Sequence, residues 1–122
     1  MIDPDGLQLN LQAELIKSNE YRKILYTDTH LQIVIMTLEP NEVIPFETHK
    51  GTQIINLLSG SLEIKLIAME NSNDNINRRE ITLIYQIYAG ETMIIPAGFP
   101  HQVTNVGSHF VKFSTIYSPP EH

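Results

Sequence analysis

Four side chains in this 122-residue sequence have the types and the spacing to do chemistry together: Glu47, His49, Gln53 and His101. Residues two apart on a strand project to the same face, so Glu47 and His49 point one way and Thr48 the other. Gln53 opens the following strand, and Lys50-Gly51-Thr52 is short enough to make the two strands neighbours. His101 comes directly after the corner Pro96-Ala97-Gly98-Phe99-Pro100. There proline's fixed φ and glycine's tolerance of positive φ specify a stiff turn, and the imidazole is placed at a strand start. Two neutral imidazoles and a carboxylate, gathered at one point, suit Fe(II), Mn(II), Ni(II) or Zn(II). The blander reading is that Glu47 and His49 form a structural hydrogen-bonded pair at a site that has lost its ion.

The run from Gly90 to Asn105 has the pattern G-x5-P-x-G-x2-H-x3-N, carried by Gly90, Pro96, Gly98, His101 and Asn105. It resembles the second motif of the cupin superfamily at every fixed position. The first cupin motif, G-x5-H-x-H-x3-E-x6-G, is found in altered form from Asn41 to Gly60. Asn41 stands for the first glycine, Glu47 for the first histidine and Gln53 for the glutamate, while His49 and Gly60 keep the family's types. The two motifs cover about half the chain, and the strand pattern carries the resemblance over most of it.

The resemblance implies an all-β, cupin-type double-stranded β-helix (a jelly-roll barrel) with a short N-terminal helix. It also implies that Glu47, His49, Gln53 and His101 converge inside the barrel on a divalent metal: Zn, Mn, Fe or Ni. Most metal-binding cupins present His-His-Glu-His. Here the carboxylate sits on the other arm, so the ligand charge is kept, while the glutamine amide lowers the expected affinity. The order Glu-x-His-x3-Gln, after a Tyr-Arg-Lys-Ile-Leu-Tyr strand, is similar to small single-domain cupins called mannose-6-phosphate isomerase-like. The reaction itself does not carry over, because it needs Arg or Lys aimed at a phosphate. Only Lys50, Lys65 and Lys112 are expected near the mouth, and alternation sends Lys65 outward. Asn105 is expected to hydrogen-bond a turn or strand, and Gly60, Gly90 and Gly98 to serve backbone geometry. His30 and His109 are read as ordinary polar residues, and His122 as part of a terminus.

Around these residues the chain reads as strand after strand. Asn10 caps a short helix over Leu11 to Ser18, with Leu11 and Leu15 on one face. Strands follow over Tyr21–Thr27, Leu31–Leu38, Val43–His49, Gln53–Leu58, Leu62–Met69, Arg79–Tyr88, Thr92–Ile95, His101–Val106 and His109–Tyr117, separated by turn residues. Glu70 to Asn77 is the most polar stretch and is expected to form a solvated, mobile hairpin loop. The spacing predicts an antiparallel sandwich or small closed barrel. The whole, residues 1–122, reads as one domain, with about 1–9 and 118–122 as loose ends. Leu31–Leu38 and Gln53–Leu58 are apolar on both faces. Either the helix covers one side or a homodimer does, and family habit favours the homodimer.

Composition bounds the partners. A net charge of −6 argues against nucleic acid or an anionic membrane held by bulk electrostatics. There is no cysteine, so no disulfide or thiolate site exists, which fits a reducing, cytoplasmic setting. The start Met1-Ile2-Asp3-Pro4-Asp5 lacks the basic segment of a signal peptide, and no run approaches the roughly 18 apolar residues of a membrane span. Three functions follow. One is a metal-dependent enzyme with isomerase or dioxygenase chemistry, its pocket lined by Leu62, Ile64, Leu66 and Tyr85. Another is a non-enzymatic module that binds a small molecule or metal. The third is a structural dimer with a vestigial site. Whether the chain is an enzyme is left open by the sequence.

Overall fold

The computed structural model describes residues 6–71 and 78–121. The Asn10 side chain accepts from the Ala13 N–H at 3.0 Å and starts helix α1 (Leu11–Lys17). Nine strands follow: β1 (Arg22–Thr27), β2 (Gln32–Leu38), β3 (Val43–Glu47), β4 (Thr52–Ser59), β5 (Ser61–Asn71), β6 (Arg78–Tyr88), β7 (Thr92–Ile95), β8 (His101–Thr104) and β9 (Val111–Ser118). Every expected strand is present, with ends displaced by a residue or two. Glu70 and Asn71 differ from expectation: both are strand residues, and the Glu70 carboxylate accepts from Arg79 Nε at 2.7 Å across the ladder. The rest of the polar stretch, 72–77, lies outside the described residues.

The strands form two antiparallel sheets, ordered β1-β2-β9-β4-β7 and β3-β8-β5-β6. This is the double-stranded β-helix. Alternation along β4 (Gln53, Ile55 and Leu57 buried) and β5 (Leu62, Ile64 and Leu66 buried) turns one face of each sheet toward the other. Phe113, Val34 and Ile55 from one sheet meet Ile64, Leu62 and Val103 from the other, all at 2% exposure or less. Full burial of such a side chain contributes roughly 1.5–3 kcal/mol. Leu62, Ile64 and Leu66 therefore fill the core, where sequence reasoning placed them around a substrate pocket.

Helix α1 packs on the outer face of the larger sheet through Leu15, which is 3% exposed. Lys112, expected near the barrel mouth, is instead on that outer face. Its Nζ donates to the carbonyls of Leu15, Ile16 and Ser18 at 2.7–3.1 Å, answering the unpaired acceptors at the helix end. The helix does not extend across the whole face. The register aligns Ile33, Ile116, Ile54 and Ile94 in one cross-strand row on that side, and Ile94 is 60% exposed.

Asn105 ties the β2–β3 turn to the β8–β9 turn. Fully buried, its Nδ2 donates to the carbonyls of Leu38, Glu39 and His109, and its Oδ1 accepts from Gly107 N–H at 3.0 Å. The Asn41 N–H donates to the Asn105 carbonyl at 2.8 Å, with Asn41 in the left-handed region at φ 66. Removing the Asn105 amide orphans several buried groups at once. Asn105→Ala is therefore expected to destabilise the fold by about 2–4 kcal/mol, read as a lower urea midpoint at unchanged slope.

Candidate metal centre

Glu47 reaches the site through a fault in the sheet. In the β3–β8 ladder Ile44 pairs with Val103, but the next pair is Glu47 with His101, so β3 carries one extra residue there. Regular pairing would set Phe46 against His101 and turn Glu47 outward. The bulge falls at Pro45-Phe46, where proline offers no ladder N–H, and it re-aims the carboxylate to the face that His101 occupies. His49 lies beyond the end of β3, so strand alternation alone does not place it. The Gly98 N–H donates to the His49 carbonyl at 2.9 Å, which binds the His49 loop to the proline corner that carries His101.

The outcome is a cluster. Glu47, His49 and His101 each offer a ligand atom, and these atoms all lie within 4.8 Å of one another. The imidazole centroids are 5.0 Å apart, and the Tyr117 ring packs edge-on against His49 at 4.9 Å. His49 and His101 are buried, while the Glu47 side chain is 43% exposed.

Hydrogen bonding sets the tautomer of His101. Its Nδ1 lies 2.9 Å from the Phe99 carbonyl, which only accepts, so Nδ1 carries the proton and Nε2 the lone pair. That Nε2 is buried and has no protein partner among the described residues. Burial holds His101 below its ordinary value, and the His49 ring adds to the effect against the Phe99 contact, so the imidazole stays neutral. A neutral imidazole oriented from its far nitrogen and presenting a bare lone pair is what a divalent metal takes as a ligand.

His49 behaves in the opposite way. Burial pulls it down, yet Glu47 Oε1 at 3.2 Å from Nε2 and Glu121 Oε1 at 3.0 Å from Nδ1 outweigh burial and raise it. Glu121 is near enough for an ion pair but is not aligned as a hydrogen bond, so it acts as a neighbouring charge. The hydrogen bond from His49 lowers Glu47 against the opposing effect of its own burial.

Gln53, the remaining expected ligand, is 4% exposed. Its Nε2 donates to Thr115 Oγ1 at 2.9 Å and lies 3.5 Å from the Tyr117 hydroxyl, and its Oε1 has no partner among the described residues. Beside the cluster opens a cavity of about 230 Å³, lined by Tyr21, Arg22, Met36, Ile44, Glu47, His49, Tyr117 and Glu121. Sequence reasoning missed Glu121 and Arg22. Glu121 lies after the last strand, and the chain returns it to His49 through a crossing at Gly51, where a Cβ would stand 2.2 Å from the Ser118 carbonyl oxygen. Nothing in the local pattern signals that return. The signal for Arg22 was a cation on a strand whose register places it inward.

The Cupin family model matches residues 12–122. The chain belongs to the cupin family. An uncharacterized protein of Acanthamoeba polyphaga mimivirus is 33% identical to this cupin over 116 residues, covering 93% of this chain and 66% of its own length. Uncharacterized protein YrkC of Bacillus subtilis is 28% identical over 120 residues, covering 98% and 60%. This cupin thus spans under two thirds of either relative. A crystal structure from Bacillus halodurans superposes with a TM-score of 0.79 at 28% identity, covering 98% of this cupin and 85% of that chain.

The opposed histidines predict a two-sided pH response in the metal-free protein. His101 is depressed below 6.5, so the unfolded chain binds its proton more readily and stability falls as pH drops below about 6.5. His49 is raised above 6.5, so its contribution is complete below that pH and is lost as pH rises through the raised value. Urea unfolding of metal-free His101→Gln should lose the acid-side decline above the range where Glu47 titrates, and His49→Gln the alkaline-side decline.

Proposed function

We propose that this cupin holds a divalent metal ion on Glu47, His49 and His101, with Gln53 Oε1 as fourth donor, and acts on a small molecule bound beside it. The observation that carries the reading is the buried, unpaired Nε2 of His101 within 4.8 Å of donor atoms on Glu47 and His49. Two imidazoles with a carboxylate suit Zn, Mn, Fe or Ni. Such an ion, when bound, supplies Lewis acidity toward a carbonyl or, as Fe(II), a position for O2. The glutamine, glutamate and two histidines resemble the ligand set of the true zinc mannose-6-phosphate isomerases, although their sugar-phosphate reaction does not carry over. We therefore favour isomerase-like chemistry, with dioxygenase chemistry and a non-enzymatic binding module as the alternatives.

The chain's own residues have separable parts in this reading. Phe99 holds the His101 tautomer, and Glu121 steadies the far side of His49. Tyr117 packs on the His49 ring, and Met36 with Ile44 gives the cavity an apolar wall. Metal analysis of tag-free protein is expected to find stoichiometric divalent metal, lost in His49→Ala and in His101→Ala. Glu121→Ala should keep the site but weaken metal binding about 10–100-fold. Chelation should lower the melting temperature of the wild type and leave the histidine variants unmoved. Stoichiometric metal in both histidine variants would overturn the reading.

We further propose that the chain is one cytoplasmic domain that pairs as a homodimer through the outer face of the larger sheet. The half-covered row Ile33, Ile116, Ile54 and Ile94 supports this. Ile94→Glu is expected to shift sedimentation from dimer to monomer without lowering metal content. An unchanged sedimentation coefficient would count against this face.

A further inference from the structure

Arg22 is exposed at the start of the edge strand β1, yet its register turns it toward the inner side of the larger sheet. On β1 it pairs with Met36, and Met36 pairs with Phe113. Both partners belong to the core, and facing residues of paired strands share a side, so the register sets Arg22 on the inner face of the larger sheet. There it lines the same 230 Å³ cavity as Glu47, His49 and Glu121. Both carboxylates are engaged with His49, at 3.2 and 3.0 Å. The charge of Arg22 acts on Glu47 from a distance, but among the described residues it makes no direct ion pair.

We propose that this cavity binds a small organic monocarboxylate, its carboxylate held by the Arg22 guanidinium and its other end against the metal site. The inference rests on the metal reading above. With a divalent ion in place, Glu47, Glu121 and Arg22 leave the cavity with a single excess positive charge, which one monoanion neutralises. A phosphate dianion would overshoot that balance beside two carboxylates. The guanidinium fork matches a carboxylate in two parallel hydrogen bonds. Met36, Ile44 and the rings of Tyr21 and Tyr117 take the carbon skeleton. At about 230 Å³ the space is smaller than the roughly 300–1,000 Å³ that houses drug-sized ligands, so the acid has only a few carbons.

A competing account is that Arg22 guards β1, an edge strand, since inward charges on edges discourage strand-to-strand association. Calorimetric titration of the zinc-loaded protein with lactate, neutral propane-1,2-diol and inorganic phosphate separates the two. Zinc uptake is measured first, so a failure of the metal reading shows before any acid is added and ends this inference with it. Lactate is expected to bind in preference to the diol and to phosphate. Arg22→Gln should weaken lactate roughly tenfold to a hundredfold, leaving zinc affinity and the diol unchanged, and Arg22→Lys should recover part of the loss. The proposal is overturned if lactate gives no saturable binding, if phosphate is preferred, or if Arg22→Gln keeps wild-type lactate affinity. The last result together with self-association of Arg22→Gln would assign the residue to guarding the edge.

Discussion

A ladder one residue out of step holds the site together. Because β3 carries an extra residue at Pro45-Phe46, Glu47 and not Phe46 faces His101. The two arms of the barrel then offer a carboxylate and an imidazole to the same space. The cost is local: a broken stretch of ladder on an edge strand, where proline had already removed a donor. The hydrogen bond from Gly98 N–H to the His49 carbonyl makes the third group follow. Without the bulge the barrel would still close over its core, but the donor set would be two imidazoles facing an aromatic ring.

The protonation of the cluster bears on whether it is a relic. A degenerate site has no reason to keep one imidazole neutral with a bare inward lone pair while flanking the other with carboxylates. Here His101 is held neutral by burial, and His49 attracts a proton through Glu47 and Glu121 despite burial. The carboxylates create a place that favours positive charge, and His101 supplies an unprotonated donor to it. A proton on His49 answers only part of this, since Nε2 of His101 has no partner among the described residues. A divalent ion would answer both, so the cluster has the capacity to bind a metal.

The turns and strands were legible because each motif position imposes a backbone demand that the residue types declare. Gly60, Gly90 and Gly98 adopt positive φ, and so does Asn41, where the family pattern has glycine. Asparagine is among the few side-chain residues that enter that region readily, so the substitution keeps the turn and with it the register of the first motif. Asn105 was read as a hydrogen-bonder and is one. What could not be read was long-range. The bulge depends on how two distant strands slip against each other. Lys112 lies on the outer face because Val111 and Phe113 on either side of it face the core, and Glu121 approaches His49 only after the chain crosses Gly51. Strand alternation carries no information on the bulge or on the return of Glu121, and it fixes Lys112 only once the inward partners on β9 are known.

The inner face of the larger sheet changes character along the barrel. At one end Leu38 and Val111 form a cross-strand pair, each at 1% exposure or less. At the other, Gln32, Tyr117 and Gln53 share a cross-strand row, and the Oε1 atoms of both glutamines are buried without partners among the described residues. Leaving such acceptors unpaired costs about 1–3 kcal/mol each, and apolar residues of similar size would pack there without that penalty. The inner face thus differs along its length: one end is packed with apolar side chains, and among the described residues the under-satisfied buried polar groups gather toward the other, with His49 and His101.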